Sequence, residues 1–211
     1  MRTDDFIRVL AADAAPRRSF QSHFALMLVC GSAIAALAFF LMVGFRHDLF
    51  EAIQSKRFVF KIIVMFALGM IATGAALRSG DPDMNIARWI WALVCVPILL
   101  AGAGGLELMV TPGGEWLTRL VGHNAWRCMT LIPFLSIGPL ACLLLALRRG
   151  APARPDLAGA MAGLAAGGIA ATFYATNCTD DSPLFVVTWF SSATLIVAAS
   201  GYLVGRRLLV W

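Results

Sequence analysis

Five cysteines punctuate this 211-residue chain, and two of them differ from the rest in their neighbours. Cys30, Cys95 and Cys142 lie inside apolar runs and read as small hydrophobes, because free cysteine in such surroundings is generally buried and inert. Cys128 and Cys178 instead sit at polar margins, in G-H-N-A-W-R-C and N-C-T-D-D-S-P. A thiol pair facing an oxidising compartment can close a disulfide or hold a soft metal. Two thiolates alone leave a metal incompletely ligated, and His123, Asp180 and Asp181 are the accessory candidates in the same stretches. On residue type alone, sensing competes evenly with a static disulfide and with unpaired thiols.

The elements that must position this pair are membrane helices. The chain is 60% hydrophobic and 14% charged with mean hydropathy +0.80, whereas soluble domains carry about a quarter charged residues. The excess is concentrated in six runs of spanning length: Phe24–Phe45, Phe58–Leu77, Trp89–Leu106, Trp126–Leu147, Leu157–Thr176 and Leu184–Gly205. Arg17/Arg18, Trp89, Trp126, Arg148/Arg149, Arg206/Arg207 and Trp211 flank them as interfacial anchors do. We therefore expect an all-α polytopic integral membrane protein with six transmembrane helices.

Lys and Arg counts in the short loops set the orientation. One side collects eleven arginines, including Arg2, Arg8, Arg78, Arg88 and Arg154. The other collects Arg46, Lys56, Arg57 and Arg119. Both termini are thus expected to be cytoplasmic, with Lys61 and Arg127 snorkelling outward from helix ends. The net charge of +5 reflects this topology and lipid contact, and calls for no direct nucleic-acid partner. Cys128 precedes Leu147 by 19 residues and Cys178 follows Leu157 by 21. At about 1.5 Å per residue, both thiols stand at one depth on the outer side, on two arms of a hairpin.

Residues 1–23 form a separate cytoplasmic segment. Thr3 can cap a helix with Asp4 and Asp5 in its first turn. Phe6, Ile7, Leu10 and Ala14 make a narrow apolar stripe, and Pro16 ends it. An interfacial helix normally has a basic polar face; this one is acidic at Asp4, Asp5 and Asp13, which favours docking on a protein partner. Within residues 24–211, Pro97, Pro133 and Pro139 are expected to bend their helices. Gly159, Gly163 and Gly167 form a small-residue face that permits close helix approach. The outer loops gather Glu107, Glu115, Arg119, His123 and Asn124, then Asn177–Pro183, with His47 and Asp48 after the first run.

No acidic residue falls in mid-membrane, so the ion relay of many transporters is missing. No nucleotide-binding, zinc-protease or serine-hydrolase motif is present, and nothing argues for an enzyme. A small-molecule or metal transporter or channel with a structural disulfide is the rival reading, supported by helices interrupted at Pro97 and Pro133. A structural subunit of a larger membrane complex is a third.

Several blocks carry a resemblance: R-T-D-D-F-I-R-V-L-A-A-D (Arg2–Asp13), G-H-N-A-W-R-C-M-T-L-I-P (Gly122–Pro133), L-R-R-G-A-P-A-R-P-D-L-A-G (Leu147–Gly159), Y-A-T-N-C-T-D-D-S-P-L-F (Tyr174–Phe185) and G-R-R-L-L-V-W (Gly205–Trp211). In these the chain resembles the NrsF-type negative regulators of sigma F, six-helix inner-membrane anti-sigma factors of proteobacteria. The resemblance implies that the chain holds an extracytoplasmic-function sigma factor at the membrane and releases it on heavy-metal or oxidative stress. It implies that Cys128 and Cys178 are the periplasmic sensing pair. It also implies that Thr3, Asp4, Asp5, Phe6, Ile7, Leu10 and Asp13 belong to the sigma-binding element, with the inner loops Arg78–Arg88 and Arg148–Asp156 as further surface. No cofactor is required, and a heavy metal at Cys128/Cys178 is the ligand this assignment allows. Asn177 stands before the second cysteine where the resemblance leads one to expect histidine.

Overall fold

A computed structural model describes residues 20–80, 87–150 and 152–210. Thr3–Asp13, with the expected partner-binding residues, lie outside the described residues. All regular structure within them is helical, and six helices are long and apolar enough to cross a membrane. They are α1 (Phe20–Met42), α2 (Lys56–Ser79), α3 (Ala87–Val110), α4 (Ala125–Leu147), α5 (Pro155–Ala175) and α6 (Pro183–Leu208), the last with a π-helical stretch at Val186–Phe190. Each begins and ends within a few residues of its expected run. The largest shifts, four residues each, are at the start of α1, which takes in Phe20–His23 from the expected N-terminal segment, and at the end of α3, which runs on from Leu106 to Val110. Pro97, Pro133 and Pro139 lie inside continuous helices. The expected set of outer loops contains three short helical pieces among the described residues, Leu49–Ala52, a 3-10 turn at Gly113–Glu115, and Trp116–Val121.

In lipid every backbone polar group must be satisfied within its own segment, which is why spans are helices. Apolar side chains then face both ways. Leu41, Phe66, Trp91, Met109, Phe134 and Leu195 project outward, as a lipid-facing surface would. Association has to come from close packing rather than from the hydrophobic effect. The most enclosed helix is α5, packed against α6, α2 and α4, while α1 and α3 lie at the periphery.

The glycine face of α5 explains that position, and the structure supplies its partner. Gly159, Gly163 and Gly167 meet α6, not the cysteine-bearing α4. A Cβ on Gly159 would stand 2.3 Å from the Gly201 carbonyl oxygen, and one on Gly163 would stand 2.7 Å from Ala198 Cα. Gly168 on another side of α5 touches α2, where an added Cβ would come 2.5 Å from Gly69 Cα. Two near-backbone contacts on one helix leave α4 to be joined to α5 by larger side chains and by the loops.

Filling either crossing should separate helices. Gly159→Leu is expected to destabilise the bundle by about 3 kcal/mol, the upper range for overpacking. Gly102→Leu, on α3 where an added Cβ meets nothing within 4 Å, should be near neutral. Unfolding in mixed detergent micelles checks this, and equal losses at the two positions would contradict the assigned contact.

Candidate functional site: a thiol pair beneath a polar cap

Cys128 sits in the first turn of α4 and donates its backbone N–H to Asn124 at 2.8 Å. Cys178 lies three residues beyond α5 and donates its own to the Tyr174 carbonyl at 3.0 Å, prolonging the helical turn. Both are free thiols and essentially inaccessible, at 0% and 1% exposure. They share one buried cluster with Ile132, Tyr174, Phe185 and Phe190.

Above them, the loop joining α5 to α6 ties the helix ends together with consecutive residues. Asp180 Oδ2 accepts the backbone N–H groups of His123 (3.0 Å) and Asn124 (2.8 Å) and the Asn124 side-chain amide (2.9 Å). These are orphan donors at the start of α4, so the carboxylate caps that helix from another segment. Gly122 makes the approach possible: its φ is +57°, and a Cβ there would lie 2.8 Å from the Asp180 carboxyl carbon.

Asp181 faces α2. Its Oδ1 accepts Lys61 Nζ at 2.6 Å and its Oδ2 accepts Arg46 Nη1 at 3.1 Å. Lys61 also donates to the Cys178 carbonyl at 2.8 Å. Ser182 faces α3, donating to Glu107 Oε2 at 2.6 Å; the same oxygen accepts the Leu184 N–H at 3.0 Å and so caps α6. Glu107 Oε1 receives Arg119 at 3.3 Å and Arg57 at 3.5 Å. Asn177 completes the set by donating to the Gly44 carbonyl just past α1 (3.0 Å).

Burial pushes the Cys178 thiol pKa up, and the opposing pull of the Lys61 charge does not cancel it. The resting Cys178 is therefore a neutral thiol, a poor nucleophile. At the rim, the hydrogen bond from Arg46 holds the Asp48 carboxyl down to about 2.

The structure thus brings the two cysteines together and gives the accessory candidates other work. Asp180 is engaged as a helix cap and Asp181 as an ion-pair partner. The His123 side chain is 90% exposed, its Nδ1 3.7 Å from Asp180. Among the described residues no group of three His, Cys, Asp or Glu side chains is arranged to hold a metal.

Two expectations need correction. Lys61 does not snorkel outward; it is fully buried, because Asp181 and the Cys178 carbonyl neutralise it inside the bundle. Glu107 is not a loop residue; it lies in the last turns of α3 at 4% exposure, held there by Ser182 and two arginines. Both were detectable as charges inside or bordering an apolar run, which are costly unless paired. Tyr174, buried beside the thiols, had no such signal.

Lys61→Met should remove a buried charge and leave Asp181 with Arg46 as its remaining cationic partner. Breaking a buried pair costs about 3 kcal/mol. Adding Asp181→Leu should recover part of that loss. A single variant as stable as the parent in detergent unfolding would show the pair to be incidental.

The family described as "Negative regulator of sigma F" (NrsF) matches residues 10–211. The probable anti-sigma-F factor NrsF of Azospira oryzae is 32% identical, and the anti-sigma-F factor NrsF of Caulobacter vibrioides 36% identical, each over the full length of both chains. No solved structure matches. With a family match across nearly all of the sequence and two full-length relatives, this chain belongs to the NrsF family of negative regulators of sigma F.

Proposed function

We propose that this protein is an anti-sigma factor of the inner membrane, holding an extracytoplasmic-function sigma factor on its cytoplasmic side. Release follows when Cys128 and Cys178 are modified by a heavy metal or an oxidant in the outer compartment. The observation that carries this reading is a pair of buried free thiols under the one loop that links the ends of the helices, in a chain whose full-length relatives are named anti-sigma-F factors. The arginine bias supports cytoplasmic termini, and the acidic stripe Thr3–Asp13 is the proposed sigma-binding element.

The pair supplies two of the soft donors that a thiophilic cation takes. Two thiolates balance a divalent charge inside an apolar box, and the Asp180 carbonyl, 3.9 Å from Cys178 Sγ, is a neutral oxygen close by. Such a cation would supply the free energy to draw both sulfurs out of their protonated state. The chain's own residues do the rest. Reorienting Cys178 disturbs its carbonyl's bond to Lys61 on α2, and reorienting Cys128 disturbs the start of α4 on Asp180.

A route to the opposite end of the bundle exists in the packing. Gly80 directly follows α2 and Gly150 lies three residues past α4, and both close on Phe20, the first residue of α1. A Cβ on Gly80 would lie 2.4 Å from the Phe20 ring, and one on Gly150 3.0 Å from it. Phe20 leads directly back to the N-terminal segment. A shift of α2 or α4 is thereby delivered to the start of α1, as a change between two packings rather than a continuous bend.

Replacing both cysteines, Cys128→Ser with Cys178→Ser, is expected to abolish induction of sigma-dependent transcription by cadmium or chromate while repression persists. Undiminished induction would remove the thiols from the mechanism. Asp4→Ala with Asp5→Ala should free the sigma factor under all conditions; co-purification of sigma at the parental level would rule out this element.

A further inference from the structure

Tyr174 carries the one buried side-chain oxygen or nitrogen among the described residues that lacks a hydrogen-bond partner. The side chain is wholly enclosed at the end of α5, one helical turn before Cys178. Its ring lies 5.8 Å from that of Phe190, and it shares a buried cluster with both cysteines. Its backbone carbonyl accepts the Cys178 N–H at 3.0 Å. Buried phenols normally find an acceptor. Here the cluster that encloses the hydroxyl offers it no acceptor, and the thiols it shares that cluster with accept only weakly.

We propose that Tyr174 is the third member of the thiol site: when Cys128 and Cys178 hold a soft divalent cation as thiolates, the Tyr174 hydroxyl donates its hydrogen bond to a charged sulfur. This rests on the sensing function above and adds to it a positioning residue that does not bind the ion itself. The step balances: each thiol releases one proton to water, each sulfur gives a lone pair to the cation, and the net charge of the site is unchanged. The phenol keeps its proton throughout. Neutrality suits walls made of Ile132, Phe185 and Phe190. Other polar groups at the sulfurs are already engaged. Lys61 serves Asp181 and the Cys178 carbonyl, and the Asp180 carboxylate serves Asn124 and His123. The Tyr174 hydroxyl is left to answer new charge on sulfur. A hydrogen bond to a charged acceptor is stronger than one to a neutral acceptor, so the hydroxyl favours the loaded state over the resting one.

The test uses the full chain in detergent micelles with Cys30, Cys95 and Cys142 replaced by alanine, and Cd2+ alone as the probe. Binding is read from the thiolate-to-cadmium charge-transfer absorption. Tyr174→Phe is expected to keep that absorption but bind Cd2+ about tenfold more weakly, the usual loss for a residue that hydrogen-bonds a metal ligand. It should leave the metal-free melting temperature equal or higher, because the hydroxyl has no partner at rest. The chain has two tyrosines, so Tyr202→Phe leaves Tyr174 as the sole phenol. Its infrared C–O stretch should then move on Cd2+ addition at unchanged affinity. The proposal fails if Tyr174→Phe binds like the parent, if the phenol band stays still at saturation, or if the metal-free Tyr174→Phe protein melts lower. If Cys128→Ser and Cys178→Ser bind Cd2+ as tightly as the parent, the cation-sensing function falls and Tyr174 with it. If those variants lose binding while Tyr174→Phe retains it, only the role of Tyr174 falls.

Discussion

A buried ammonium group sets the terms for one end of this molecule. Lys61 lies inside the helix bundle with no exposure, where an unpaired charge would be prohibitively costly. It is tolerated only because Asp181 and the Cys178 carbonyl reach it from the loop between α5 and α6. That requirement fixes the loop, and the loop fixes its neighbours. Asp180 caps α4, Ser182 meets Glu107 on α3, and Asn177 holds the turn after α1. The two cysteines are therefore placed by an electrostatic constraint as much as by packing.

This arrangement accounts for how buried thiols can have consequences at a distance. Helices α5 and α6 are locked together by glycine contacts close to backbone-to-backbone, whereas α4 lacks such a lock against α5. The weaker joint is the one bearing a cysteine on each side. Modifying the pair would thus act on the part of the bundle best able to repack, while the α5–α6 core stays intact. The far ends of α2 and α4 converge on Phe20, so a single disturbance under the cap has two helical routes to the same residue.

The family match and the resting state of the site fit together. In the proposed sensing role, thiols kept neutral and enclosed would be quiet toward weak oxidants and hard cations. They would respond to agents with real affinity for sulfur. The paired carboxylates of the cap, which resemble spare metal ligands in the sequence, act instead as the structure that keeps the site closed.

The sequence by itself determined the six spans, because twenty or so apolar residues bounded by arginine and tryptophan have few other stable fates. It also singled out Cys128 and Cys178 and their shared depth, since helical rise converts residue number directly into height. It could not say which faces meet. The glycine stripe of α5 was legible as a contact surface but not as a contact with α6, because spacing defines a face and not its partner. Lys61 and Glu107 read as edge charges, and Tyr174 as one more aromatic residue, until tertiary packing enclosed them. Charge neutralisation and orphaned hydrogen-bond donors arise between segments far apart in the chain, and only the assembled bundle decided them.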